Sequence, residues 1–549
     1  MPIADVAKLK YRRGVAISEF SAQERELLGP YFTNIDRDVY ALRNLPEVVK
    51  GALFSRYSRS SKSLRRTFLD EFVQNPDLNL PQAPEERDDV VAADKAEQFY
   101  ERVLVGYGDD SVAELGGAHV ALERISALAA KEIEDSRIGL SPLEKSTRYV
   151  FFDRQVDGRY EYVRPHSITH SSLAETYTRA MDACFHAYSE AIAPLTASLA
   201  EQFPVEDGTS ERAHRAAIRA KAADALRALL PVGHLTNMGV YGNGRAFEYL
   251  LIKMAASPLP EVRELGFDLG HELGLVIPAF TKRAGTERGR DHSSYLRERE
   301  TAVSGWAAGL RGSETDMHPA VSIVDYDPEA ENKVIAGLLH PHTQLSLHDV
   351  RRAVGNMSAA EKTAILKAHL DGRGSRHRRP GRAFEMAEYT VELCANFGVY
   401  KDLQRHRMCT QQRQCLSTNL GYTMPPELSG TEHEGTFHEC MAIAGAAYQS
   451  LAERFPAEAQ YVVPTAYRMR WMMKLNLREL AHLVELRSTV QGHPDYRAIV
   501  HDLTMKVRHI HPVLADLATY FVDWTQVDLA RLESEQRTEE KAQALGRAR

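Results

Sequence analysis

The residues with the clearest chemical purpose in this sequence are arginines. Arg405-His406-Arg407 is a compact basic triplet, with Glu385 twenty residues upstream. Asn476-Leu477-Arg478, Glu485-Leu486-Arg487 and Asp495-Tyr496-Arg497 follow it, and far ahead of it stands SPLEKSTRY, with Glu144, Ser146, Arg148 and Tyr149. A guanidinium keeps its charge at physiological pH and meets phosphate oxygens with two parallel donors. Several Arg-bearing elements drawn together from distant stretches are costly unless an anion sits among them. The pattern therefore points to a phosphorylated ligand. A second triplet, Arg376-His377-Arg378 within SRHRRPGR, falls outside that ordered series. It reads as a basic loop near the same anion or as a solvated turn.

Other chemistries find less support. The closest histidine pairs, His340 and His342, His433 and His438, and His509 and His511, match no zinc-ligand spacing, so no metal site is expected. Five cysteines, an odd and sparse set without a two-residue interval, read as reduced thiols, and Cys415 as a small buried residue rather than a nucleophile. A net charge of -7 and the absence of interleaved aromatics around Arg373–Arg382 argue against DNA or RNA as partner. No apolar run approaches the length that spans a bilayer, and the N-terminal MPIADVAKLKYRRG lacks the apolar stretch of a signal peptide. A cytoplasmic protein is expected.

The elements that must position these arginines occur twice. LLPVGHLTNMGVYGNGRAFEYLL (Leu229 to Leu251) answers VVPTAYRMRWMMKLNLRELAHLV (Val462 to Val484). Pro231 aligns with Pro464, Asn243 with Asn476 and Arg245 with Arg478, all at an offset of 233. Arg263 aligns with Arg497 at 234, and upstream Glu114 aligns with Glu385 at 271 and Arg137 with Arg407 at 270. Amphipathic helices can match in apolar positions by chance, but not in Pro, Asn-x-Arg and Arg in one order. Duplication is the simpler account. The change of offset between blocks implies an insertion in the first half, within about 154–225, where periodicity and Ala content are helical. The expected layout is a first domain over 1–285, a polar linker over 286–318, a second domain over 319–527 and a charged tail over 528–549 that forms a solvated helix or frays. The mixture of β-prone runs, such as Glu388 to Tyr400, with helical stretches predicts an α+β fold for each half.

The second-half series resembles flavin-dependent thymidylate synthases over most of residues 320 to 525. That family carries Arg-His-Arg, a Ser-x-Arg loop shortly after it, Asn-x-Arg elements downstream and a final Arg. The resemblance implies two tandem domains, each a curved mixed or antiparallel sheet with packed helices. It implies FAD as cofactor, methylene-tetrahydrofolate and NADPH as co-substrates, and reductive methylation of dUMP to dTMP. It assigns catalytic roles to Arg497 and Ser146, and substrate binding to Arg405, Glu144, Ser146, Arg148, Arg470 and Arg497. It gives cofactor binding to Glu385, Arg405, His406, Arg407, Asn476, Arg478 and Arg487. Because family sites are built across subunits of a tetramer, a homodimer forming a pseudo-tetramer is implied.

The departures are informative. Cys415 and Ser417 stand where the family has Ser and Arg, Asp402 where it has Gln, and Pro380 where it has His. The first half shows Asp135-Ser136-Arg137 at the triplet yet keeps Glu144, Ser146, Arg148 and Tyr149. Each half lacks what the other retains, so one site shared between the halves is expected, using Arg405, His406 and Arg407 with Glu144, Ser146 and Arg148. A homologue acting on another pyrimidine nucleotide, and a non-catalytic flavin- or nucleotide-binding protein, are the alternatives.

Overall fold

The computed structural model describes residues 20–36, 39–45, 47–57, 60–73, 113–310 and 319–547. The N-terminal MPIADVAKLKYRRG, Ser111 of the upstream repeat block and the last part of the expected linker lie outside these residues.

In the first half, strand β1 (Gly117–Ser126) runs straight into helix α1 (Ala127–Glu134) because the Ser126 hydroxyl accepts from the Ala129 N–H and satisfies an otherwise orphaned donor. β2 (Leu140–Glu144) follows, then the long helix α2 (Ala174–Gln202) and α3 (Glu211–Leu226). β3 (Leu235–Asn243) ends on Asn243, which caps α4 (Gly244–Ala256) by accepting from Ala246 N–H. α5 (Pro260–Val276) and α6 (Glu287–Ala307) complete this half. The strands form an antiparallel sheet in the order β1-β3-β2.

The second half repeats this grammar. β4 (Val321–Tyr326) and three helices precede β5 (Glu388–Asn396), whose final Asn caps α7 (Phe397–Leu403). Then come β6 (Thr410–Arg413), α8 (His433–Ala452) and β7 (Arg468–Asn476), and Asn476 caps α9 (Leu477–Arg487). α10 (Pro494–Ile510) and a terminal helix α11 (Leu532–Arg547) follow. The antiparallel order is β4-β5-β7-β6. β7 alternates in the way a half-buried strand must, with Met469, Trp471, Met473 and Leu475 in the core while Lys474 faces outward.

The halves share one hydrophobic core. Pro231 and Pro464, aligned in the repeat, meet each other in an isolated bridge. Having no N–H, neither proline can donate, and their neighbours carry the contact: Val232 N donates to Val463 O and Thr465 N to Leu230 O, both at 2.9 Å. α2 and α8 pack together beside this seam. α3 has no counterpart between α8 and β7.

Three expectations read differently in the structure. The polar stretch expected as a linker is largely α6, because Gly289, Ser293 and Leu296 recur at helical spacing and bury a narrow stripe against α4. The β-prone run from Glu388 to Tyr400 is strand only as far as Asn396, where the cap turns it into α7. Cys415, expected to be buried, is exposed, whereas the other four cysteines are buried. The charged tail is a helix packed on α3, held in part by Ser210 Oγ donating to Glu539 at 2.5 Å.

Candidate functional site

A cavity of about 260 Å³ opens along the seam between the halves. The first half contributes Arg148, Asp224 and Arg227, and the second His493, Asp495 and Arg497. Arg148 leaves the loop after β2 and grips Asp224 of α3 with a two-pronged fork, Nε to Oδ1 at 2.6 Å and Nη2 to Oδ2 at 2.8 Å. Arg531, in the segment leading to α11, reaches the same Asp224 Oδ2 at 3.2 Å and lies over the Tyr149 ring. Burial works against the Asp224 charge, but the Arg148 fork, with His493 and Arg531 beyond it, lowers its pKa to about 2. Arg497 is buried and donates to backbone carbonyls, Nε to Ser488 O at 2.9 Å and Nη2 to Thr525 O at 2.6 Å.

A second cavity of about 380 Å³ adjoins the triplet. Arg137 of the first half and Arg379, Arg405, Arg407 and Arg487 of the second line it, with His482. His406 and Glu479 complete this wall. The His406 Nδ1 lies 3.0 Å from Glu479 Oε1, and its Nε2 accepts from Arg487 Nε at 3.0 Å. That pattern fixes the neutral tautomer with the proton on Nδ1. Burial, with Arg487 nearby, lowers the His406 pKa to about 4 despite Glu479. His406, Glu479 and His482 gather ligand-type atoms within 4.8 Å of one another. Both His406 nitrogens are already engaged and the surroundings are cationic, so the cluster suits an anion rather than a metal ion.

Asp402 joins the two cavities electrically. It is 7% exposed, its Oδ2 makes no hydrogen bond, and the nearest cation is Arg227 Nη1 at 3.6 Å. Burial pushes its pKa up, yet Arg227, Arg148, Arg405 and Arg487 together bring it below the usual carboxylate value. Arg148 of the first half, which lines the seam cavity, and Arg405 of the second, which lines the cavity at the triplet, thus both act electrostatically on one buried carboxylate.

The remaining expected residues fall elsewhere. Glu144 is buried in an ion-pair cluster with Lys131 at 2.8 Å and Lys401 at 3.0 Å, and lines neither cavity. Ser146 Oγ accepts from Arg148 N at 3.3 Å and shapes the loop. Arg470 lies on β7 opposite Cys394, away from both cavities. Arg478 donates to Pro380 O and pairs with Glu385 at 3.3 Å, while Asn476 caps α9. Arg407 donates to Leu140 O and lies 3.3 Å from Ser141 Oγ, tying the triplet to β2. Arg373 of the basic loop is buried against Glu485 at 2.7 Å, whereas Arg379 faces the second cavity.

Sequence reasoning missed Asp224, Arg227 and Arg531. A signal existed for Asp224: it continues the buried stripe of Ala213, Ala217 and Ala220 on α3, where a lone acid needs a partner. Arg531 had none, since charge-dense termini are ordinarily solvated.

Fold and seam together define an α+β protein whose arginine-lined cavities draw residues from both halves of one chain. Comparison with known proteins gives the family: the chain belongs to the thymidylate synthase complementing protein family, which matches residues 62–279 and 322–513. It is 41% identical over 524 residues to a UPF0159 protein of Chlamydia muridarum, covering 94% of this chain and 98% of that protein. Identity to a UPF0159 protein of Thermoplasma acidophilum is 34% over 519 residues, covering 90% and 99%. A flavin-dependent thymidylate synthase of Geobacter sulfurreducens is 25% identical over 206 residues, which cover 35% of this chain and 84% of that protein. Among solved structures, the UMP/dUMP methylase PolB of Streptomyces cacaoi bound with 5-Br dUMP aligns with TM-score 0.30 and 15% identity, covering 37% of this chain and 95% of that one. Among the described residues no helix is long and apolar enough to cross a membrane.

Proposed function

We propose that this protein is a flavin-dependent thymidylate-synthase-like enzyme, methylating dUMP or a related pyrimidine nucleotide at a site shared by two tandem halves. The observation that carries this reading is the seam cavity lined by Arg148 of the first half and Arg497 of the second, beside an arginine-lined cavity at Arg405–Arg407 to which Arg137 of the first half contributes. The tandem layout is supported by the recurring element order, the matched caps at Asn243 and Asn476, and the meeting of Pro231 with Pro464.

The guanidinium-lined second cavity fits a flavin pyrophosphate, with Arg379, Arg405, Arg407 and Arg487 as its holders. When bound, FAD would supply the redox and carbon-relay chemistry, with methylene-tetrahydrofolate and NADPH as co-substrates. The chain's own contribution is orientation and charge. Arg148, in the seam cavity, holds the nucleotide phosphate, Arg405 stands in the adjoining flavin cavity, Arg497 stiffens the seam wall, and His406 stays uncharged to fix Arg487. Glu385 and Arg478 act as a structural pair behind the flavin, as does the Asn476 cap, while Glu144 and Ser146 set the height of the Arg148 loop. The working assembly is a homodimer.

The test is the visible spectrum of purified protein before and after dUMP, in wild type, Arg148→Ala and Arg405→Ala. A flavin band that shifts with dUMP in wild type and in neither variant is the expected result. An Arg148→Ala protein that responds like wild type would sink the shared site. A colourless protein that takes up no added flavin would sink the enzyme reading.

A further inference from the structure

Helix α3, which has no counterpart between α8 and β7, forms one wall of the seam cavity. Ala217, Lys221, Asp224 and Ala225 line that wall at the three- and four-residue spacing of a single helical face. Lys221 is paired with Glu427 of the second half at 2.9 Å, and the alanines present only methyl groups. Asp224 is therefore the group through which this face acts on the arginines of the cavity.

The Asp224 fork takes Arg148 by its Nε and Nη2 edge, at 2.6 and 2.8 Å, and Nη2 also donates to Gln491 O at 3.3 Å. Nη1 makes no hydrogen bond among the described residues, so its two N–H groups are what Arg148 can offer a ligand. Arg531 donates to the same Asp224 Oδ2 at 3.2 Å and to the Arg148 carbonyl at 3.4 Å. One carboxylate thus faces two guanidiniums, and its charge is more than matched by the pair it holds. An arginine that is free beforehand gives up much of its rotamer freedom on gripping an anion, whereas one already clamped does not.

We infer that Asp224 is a positioning residue for the shared site: it clamps the Arg148 guanidinium so that the Nη1 end meets the phosphate of the nucleotide. This rests on the assignment of the seam cavity to dUMP or a related nucleotide. The competing reading makes Asp224 a rival of the phosphate for Arg148. The geometry favours the clamp, because the carboxylate uses the Nε and Nη2 edge, leaves the Nη1 end open and is itself held by Arg531. The two readings predict opposite signs. Removing a clamp weakens phosphate binding, and removing a rival tightens it.

Isothermal titration of the full chain with dUMP, and separately with deoxyuridine, which lacks the phosphate, tests this. Asp224→Asn is expected to weaken dUMP binding by about tenfold, the scale of one charge-assisted contact, and to leave deoxyuridine unchanged. Equal weakening of both ligands would reduce Asp224 to a structural role, and tighter dUMP binding would make it the rival; either overturns the clamp. The double variant Arg148→Ala with Asp224→Asn should bind dUMP as Arg148→Ala alone does, because Asp224 acts through Arg148. Additive losses would overturn that route. Where Asp224→Asn does not fold, Asp224→Glu carries the test: it keeps the charge and displaces the fork by one methylene, so it should weaken dUMP and spare deoxyuridine. A Glu variant that binds dUMP as wild type does, or loses both ligands alike, would also overturn the clamp. A wild type that binds no dUMP removes the shared-site reading itself, whereas a responsive wild type with an unaltered Asp224→Asn removes the positioning role alone.

Discussion

At the scale of single residues, the seam is governed by buried charges that need one another. Asp402 feels four guanidiniums, of which Arg227 at 3.6 Å is its ion-pair partner, and neutralising it leaves Arg227 without its carboxylate. Asp402→Asn should cost about 3–5 kcal/mol at neutral pH, the usual result of breaking a buried charge cluster. Because the folded pKa of Asp402 is depressed, its contribution is present above the unfolded carboxylate value of about 4 and lost as pH falls below it. Urea unfolding of wild type and variant should therefore converge toward acid pH, and a gap that widens there would refute the assignment. His406 behaves oppositely in chemistry but alike in sign. Its folded pKa of about 4 lies below the unfolded value of about 6.5, so its neutral form favours the fold above that value, and stability drains away between the two as protons bind the unfolded chain. His234 and His493, also lowered to about 4, add to the same slope. His406→Gln should flatten the pH dependence of the unfolding midpoint across that window.

At the scale of elements, the caps and the tail decide what the arginines can reach. Ser126, Asn243, Asn396 and Asn476 each end a strand and begin a helix in one residue, which sets the loops after α1 and α7 beside the seam. The tail is drawn in by Arg531, whose guanidinium shares Asp224 with Arg148. Truncation after Ala530 should spare the core, lower the thermal midpoint by a few degrees and weaken dUMP binding, measured by thermal melting and titration. Unchanged dUMP affinity would show that Arg531 merely neighbours the site. Where the halves touch most closely, Gly233 leaves no room: a Cβ there would lie 2.9 Å from Tyr461 O. Gly233→Ala should destabilise by about 1–3 kcal/mol in chemical denaturation, the usual cost of overpacking.

At the scale of the whole molecule, the two halves of the chain share one core and a seam crossed by main-chain hydrogen bonds, the arrangement the proposed shared site requires. A pseudo-tetramer then needs two chains. Light scattering of the purified protein should read twice the 61.6 kDa chain mass, and a monomer would refute that assembly.

The α+β composition, the repeated blocks and the arginine series were legible in the sequence because they are local or periodic: caps, strand alternation and fixed offsets survive without knowledge of the fold. Which arginines share a carboxylate was not legible. Arg227 of the first half pairs with Asp402 of the second at 3.6 Å, and Arg148, Arg405 and Arg487 act on that acid from farther off, because the halves dock and bury it. Glu144 looked like a ligand by motif and became the counter-charge of two buried lysines, since burial leaves an ion no choice but to pair. Linear spacing records which side chains exist, and docking in low dielectric decides which of them remain to face a ligand.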